Sequence, residues 1–118
     1  MILVDTSVWI EHFRAGSDRL KGLLFDQQVL CHPFVIGDLA CGMLQKRGEI
    51  LTMLKALPEA DLLEHEEVMS FLDTRRLYGR GIGWVDVHLL ASTLLTGCAI
   101  WTFDKPLRRA AAALNILV

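Results

Sequence analysis

The chain opens with MILVDTSVWIEHFR, residues 1–14, and the reading of this stretch decides the fold. Ile2, Leu3 and Val4 form a short, wholly apolar run that stops at Asp5. A run without polar alternation suits a strand buried on both faces, as in a parallel sheet. Thr6 to Phe13 then reads as a helix with Val8, Trp9 and Phe13 inward. Gly16 ends it, and Ser17 caps a second helix carrying Leu20, Leu23, Leu24 and Phe25.

The same alternation continues outward. Val29-Leu30-Cys31 is a second apolar strand, and Pro33 opens a helix with Phe34, Val35, Ile36, Leu39, Ala40, Met43 and Leu44, stopped by Gly48. Ile50 to Leu57 is a further helix ended by Pro58, and Ala60 to Leu63 a short strand. Glu64 to Tyr78 reads as a long amphipathic helix with Val68, Phe71, Leu72 and Leu77 inward. Gly79, Gly81 and Gly83 make a flexible loop, after which Asp86 starts a helix through Leu95, closed by Gly97. Cys98 to Thr102 is a strand, Asp104 and Pro106 open the last helix, and Ile116-Leu117-Val118 is a final strand. Short apolar strands alternating with helices predict an α/β fold built on a parallel sheet. No repeat, low-complexity tract or linker divides the chain, so residues 1–118 read as one domain.

The 118 residues suffice for a core without disulfides. Hydrophobic residues make up 53%, rich enough that some apolar surface is expected to meet a partner. The longest uncharged stretch, Val87 to Phe103, is interrupted by polar residues and falls short of a membrane span. The N-terminus lacks the basic start of a signal peptide, and the expected compartment is the cytoplasm. Cys31, Cys41 and Cys98 form no C-x-x-C pair and read as reduced core thiols. The net charge of −2 argues against a globally basic nucleic-acid binder. Arg75, Arg76 and Arg80 nevertheless cluster without an intervening acid, and Lys105, Arg108 and Arg109 form a second group. Each cluster fits either a solvated helix face or contact with phosphates.

Three aspartates share one context. Asp5 and Asp104 each follow a strand and precede a helix, and Asp86 follows the glycine loop and opens one. Each alone reads equally as a helix N-cap. Together they matter more, because open α/β sheets bind ligands beyond the carboxyl ends of their strands. Asp38 differs, lying inside a helical pattern beside Ile36 and Leu39, where a carboxylate needs a partner. Converging carboxylates repel one another and raise their own pKa values, and a divalent cation removes that penalty. Magnesium accepts a few hard oxygen ligands, and one or two such ions activate water for attack on a phosphodiester. Thr6, Ser7 and Thr102 supply hydroxyls that orient carboxylates or a bound water, with helix capping the alternative for Thr6 and Ser7.

Other chemistries fit less well. His12, His32, His65 and His88 are scattered without zinc-binding spacing. Cys31 and His32 are neighbours on a strand and face opposite ways. No nucleophile elbow, Walker loop or dinucleotide fingerprint is present.

Four segments carry a resemblance: MILVDTSVWIEHFR at 1–14, HPFVIGDLACG at 32–42, GIGWVDVHLLAS at 81–92 and WTFDKPLRRAA at 101–111. In this order they resemble the VapC-type PIN-domain toxins of type II toxin–antitoxin systems, over the whole chain. The resemblance implies a five-stranded parallel sheet flanked by helices and a homodimer. It implies endoribonuclease activity dependent on Mg2+, with Mn2+ a substitute, and neutralisation by a VapB-like antitoxin. The family's acidic positions fall on Asp5, Asp86 and Asp104, expected as metal ligands, and on Asp38, expected to complete the catalytic set. Where the family pattern has Glu in G-E-L-A, this chain has Asp38, shorter by one methylene, about 1.5 Å of reach. Arg75, Arg76, Arg80 and Lys105 are expected to bind the RNA substrate.

Two other readings remain open at this level. One is a catalytically weakened module of the same fold that acts by binding antitoxin or RNA. The other is a phosphoacceptor receiver, disfavoured because Thr6 rather than a second acid follows Asp5. Trp9, Phe13 and the Leu-rich second helix serve either as core or as a groove for an antitoxin helix.

Overall fold

The computed structural model describes residues 1–118. The elements run β1 (Ile2–Val4), α1 (Thr6–Ala15), α2 (Asp18–Phe25), β2 (Val29–Leu30), α3 (Pro33–Cys41), α4 (Arg47–Ala56), α5 (His65–Thr74), α6 (Trp84–Thr96), β3 (Ala99–Trp101) and α7 (Lys105–Ala113). The sheet is parallel, in the order β2-β1-β3. Leu3 pairs with Leu30 on one side and Ile100 on the other. These apolar runs are sealed on both faces, with Leu3, Val4 and Ile100 completely buried.

The sheet has three strands, not the five expected. The two outer segments are reduced to single parallel bridges, Cys31 to Glu59 and Ile100 to Leu117. Around Glu59 the ladder consists of Cys31 N–H donating to Pro58 O and Ala60 N–H donating to Cys31 O. Pro58 offers a carbonyl but no N–H, and β2 gives way at once to Pro33 and α3, so neither side can lengthen the pairing. Pairing falls at Glu59, so the expected strand Ala60–Leu63 is not formed. At the other edge Ile100 N–H donates to Ile116 O and Val118 N–H to Ile100 O.

Helix boundaries moved where two stop signals competed. α3 ends at Gly42 rather than Gly48, and Gly48 lies in the first turn of α4, after Lys46 takes a left-handed φ of 53°. α5 stops at Thr74 rather than Tyr78, because the chain turns at Arg76, also left-handed at φ 53°. Leu77 is still buried, by the turn rather than by the helix. α6 begins at Trp84, two residues before Asp86. A 25-residue apolar core surrounds the sheet and includes Trp9, Leu20, Leu39, Leu54, Val68 and Leu107. Phe25 and Met43 stand in solvent. The cysteines are all free, but only Cys31 is in the core; Cys41 is exposed and Cys98 half-buried. No helix is long and apolar enough to cross a membrane.

Candidate active site

The topology puts the aspartates at one edge. β1 and β3 are parallel, so Asp5 and Asp104, which follow them, lie at the same end of the sheet. α3 leaves β2 at that end and carries Asp38. α6 runs back toward the start of β3, so its N-terminus, with Asp86, returns to the edge where β3 ends.

Asp5 is the most buried of the four, and its Oδ2 is heavily solvated by the protein. It accepts from Thr102 Oγ1 at 2.7 Å, Ser7 Oγ at 2.8 Å and Ser7 N–H at 3.4 Å. Each hydroxyl has one proton, and both protons go to Asp5. The 3.3 Å approach of Ser7 Oγ to Thr102 Oγ1 is therefore a packing contact. The hydroxyl oxygens accept in turn: Phe103 N–H donates to Ser7 Oγ and Asp104 N–H to Thr102 Oγ1, each at 3.0 Å. The start of α1 is thereby strapped to the segment joining β3 to α7, and Asp5 N–H adds a bond to Trp101 O.

The other three are held more lightly. Asp104 caps α7, its Oδ2 accepting from Leu107 N–H at 3.0 Å. Asp86 Oδ2 reaches back to Gly83 N–H at 3.1 Å. Asp38, exposed on α3, accepts from Thr6 Oγ1 at 3.2 Å through Oδ2. All four aspartates thus use Oδ2 alone toward the protein. No Oδ1 takes a protein donor, and none is sealed in the core.

Asp86 reports their proximity. Its carboxyl is pushed above the ordinary range, first by burial and then by repulsion from Asp5, Asp104 and Asp38, against the lowering effect of the Gly83 N–H. The side chains do not form a closed cage: no three acids, imidazoles or thiols already stand as a metal cluster. The donor set suits a hard divalent ion that keeps several waters, which needs only one or two direct carboxylates.

Of the hydroxyl residues named from sequence, Ser7 and Thr102 join Asp5, and Thr6 joins Asp38. Ser7 does not cap the helix: the N-cap is Asp5, whose carboxylate takes both the Ser7 N–H and its hydroxyl. Among the basic residues, Lys105 adjoins Asp104 and begins α7. Arg80 sits in the glycine loop, which lies against that helix: a Cβ on Gly81 (φ +77°) would stand 3.6 Å from Pro106. Arg75 and Arg76 are exposed at the end of α5, with no contact tying them to the acidic edge. None of the four is in a salt bridge; the one salt bridge is Arg14 to Glu11.

Two features were missed from sequence. Arg108 Nη1 donates to Thr102 O at 3.2 Å and steadies the strap; its place one turn after Asp104 was the available signal. Three of the scattered histidines also gather. His32, His88 and His65 join Phe34 and Trp84 in one chain of rings, with centroid spacings of 4.7 to 6.4 Å. They come from separate elements, and no spacing announced them. Cys31 is buried in the core, and that burial pushes its pKa up to about 11, which disfavours a thiolate nucleophile.

The PIN domain family pattern matches residues 2–113. The chain is 50% identical over 113 residues to Ribonuclease VapC32 of Mycobacterium tuberculosis (strain CDC 1551 / Oshkosh), covering 95% of this chain and 91% of the relative. The same identity and coverage hold for Ribonuclease VapC32 of strain ATCC 25618 / H37Rv.

Proposed function

The chain belongs to the PIN-domain family, and from that premise we propose that it is a Mg2+-dependent endoribonuclease, the toxin of a type II toxin–antitoxin pair. The observation that carries this reading is the set of four aspartates at one sheet edge, each anchored through Oδ2 with Oδ1 free. Asp5, Asp86 and Asp104 would hold the ion, Mn2+ serving as a substitute, and Asp38 would complete the set. Bound there, a divalent ion supplies the positive charge that activates water and stabilises a phosphodiester under attack.

The chain's own residues prepare for this. Ser7 and Thr102 fix Asp5 through one oxygen and so aim the other. Thr6 does the same for Asp38. Arg80 and Lys105, free of protein carboxylates, provide cations for the phosphates flanking the scissile bond, and Arg75 and Arg76 extend them along the RNA. No side-chain nucleophile is needed.

A VapB-like antitoxin would have a groove of about 860 Å³ to dock in. It is lined by Ile10, Phe13, Met43, Leu44 and Ile50, with Asp38 among its walls. This differs from the groove expected from sequence: Trp9 is sealed in the core, and α2 contributes nothing. We further infer a homodimer, to which exposed apolar side chains such as Phe25 and Leu95 would contribute, and, from the VapC relatives, action in the cytoplasm.

The test is cleavage of RNA that requires Mg2+ and disappears in Asp5→Asn and Asp86→Asn. Metal-independent cleavage surviving both changes would refute the assignment. The short, exposed Asp38 favours one rival, a binding-only module of the same fold. Absence of cleavage both in the parent and in Asp38→Glu, with RNA or antitoxin still bound, would support that rival.

A further inference from the structure

Beside the carboxylates stands a surface that the hydrolytic chemistry does not use. The imidazole of His88 is nearly buried, and two rings stand edge-on to it. Phe34 is at 4.7 Å and 66°, Trp84 at 4.7 Å and 87°. His32 closes the base at 5.1 Å from Phe34, with its Nδ1 accepting from Phe34 N–H, and His65 flanks Trp84 at 5.0 Å. The buried histidines fix the rings of Phe34 and Trp84, which nevertheless remain partly open to solvent. Of the three tryptophans, Trp9 and Trp101 are buried; Trp84 alone is half-exposed.

The position of these rings is specific. Phe34 lies one helical turn before Asp38 on the same face of α3; Trp84 opens the helix that carries Asp86, projects from a different side than Asp86, and joins Phe34 through His88. Rigid aromatic faces next to a phosphodiester-cleaving edge suit unpaired bases, which stack on aromatic side chains without regard to sequence. A base inside a duplex cannot reach them. We propose that Phe34 and Trp84, braced by His88, form a stacking platform for the unpaired base of the nucleotide flanking the scissile phosphate. This rests on the nuclease reading for the identity of the ligand and for the scissile phosphate that locates the base; stacking itself is tested by binding alone.

Trp84 makes the test direct. A single-stranded RNA octamer and the same sequence in a duplex are titrated into the metal-free protein and into Asp5→Asn with Mg2+, while tryptophan emission is followed. Quenching by the single strand and not by the duplex is expected. Phe34→Ala and Trp84→Phe are then compared on an unstructured substrate. Phe34→Ala is expected to raise KM about 5- to 100-fold with most of the loss outside kcat, and Trp84→Phe, which keeps an aromatic face, to lose far less. Mg2+-dependent cleavage with no quenching and unchanged KM in Phe34→Ala overturns the platform and leaves the nuclease standing. Quenching by single-stranded RNA without any cleavage overturns the nuclease and keeps the platform. Emission that tracks protein concentration instead of RNA assigns the rings to subunit contact and overturns the proposal.

Discussion

Replacing Thr102 by Val changes the shape of one side chain very little but removes a hydroxyl that works in two directions. Thr102 is completely buried, donates to Asp5 Oδ2 at 2.7 Å and accepts from Asp104 N–H at 3.0 Å. The substitution withdraws a hydrogen bond to a charged group, about 1.5–3 kcal/mol, and leaves a half-buried N–H without its acceptor, about 1–3 kcal/mol. Partial relaxation of the strap offsets some of this, so a net loss of about 3 kcal/mol is expected. In urea unfolding the midpoint should fall with an unchanged slope. Asp5 and Asp104 lose their shared anchor together, so RNA cleavage should fall about 10- to 100-fold, and the Mg2+ requirement should rise. Thr102→Ser, which keeps the hydroxyl, should retain most of both properties. A Val variant within about 0.5 kcal/mol of the parent, with unchanged Mg2+ dependence, would refute the assigned role of the hydroxyl web.

Three further outcomes follow from the same geometry. Asp38→Glu adds about 1.5 Å of reach and is expected to lower the Mg2+ concentration for half-maximal cleavage about tenfold; an unchanged metal titration would show that Asp38 already serves at its present length. Asp86→Asn should abolish cleavage yet raise the urea midpoint in chelator, because the amide escapes both the burial cost and the repulsion from Asp5, Asp104 and Asp38; a lowered midpoint would contradict it. His32 titrates near 6.5 when unfolded but only at about 4 in the fold, held down by burial and then by His88. The unfolded chain therefore binds more protons between those values, so His32 lowers stability as pH falls through that window, by about 3 kcal/mol in all. His32→Asn keeps an acceptor for Phe34 N–H and should flatten that part of the pH–stability curve relative to the parent; identical slopes would rule the effect out.

What the sequence made legible was local. Asp5 and Asp104 were readable because an apolar run, one carboxylate and a helix occur in immediate succession, and N-capping and placement at the strand end require the same residue. Asp86 was found, but its position was misread. Gly83 takes the extended cap conformation, and Asp86 becomes the third helical residue reaching back to it, a geometry that the apolar period across Trp84 and Val85 does not reveal. The outer strands were over-read because an apolar run such as Ile116–Val118 looks the same whether it pairs over three residues or one. The ring cluster was illegible for a different reason. Positions 32, 65 and 88 lie on separate elements, and only the folded sheet brings them together.

The four carboxylates do not share their electrostatic cost equally, and this inequality bears on the chemistry. Asp5 Oδ2 receives three protein donors, so its charge is compensated before any ion arrives. Asp86 receives a single N–H and is partly desolvated, so it has less protein compensation than Asp5 against the repulsion the four carboxylates share. If a cation binds at this edge, as proposed, it would relieve Asp86 most, while Asp5 would change least in environment. This division would suit a reversible hard-ion site, in which a rigid anchor would fix the position and an under-compensated neighbour would supply the driving force for uptake. Four equally satisfied aspartates would make a more stable protein but would have little reason to bind a metal.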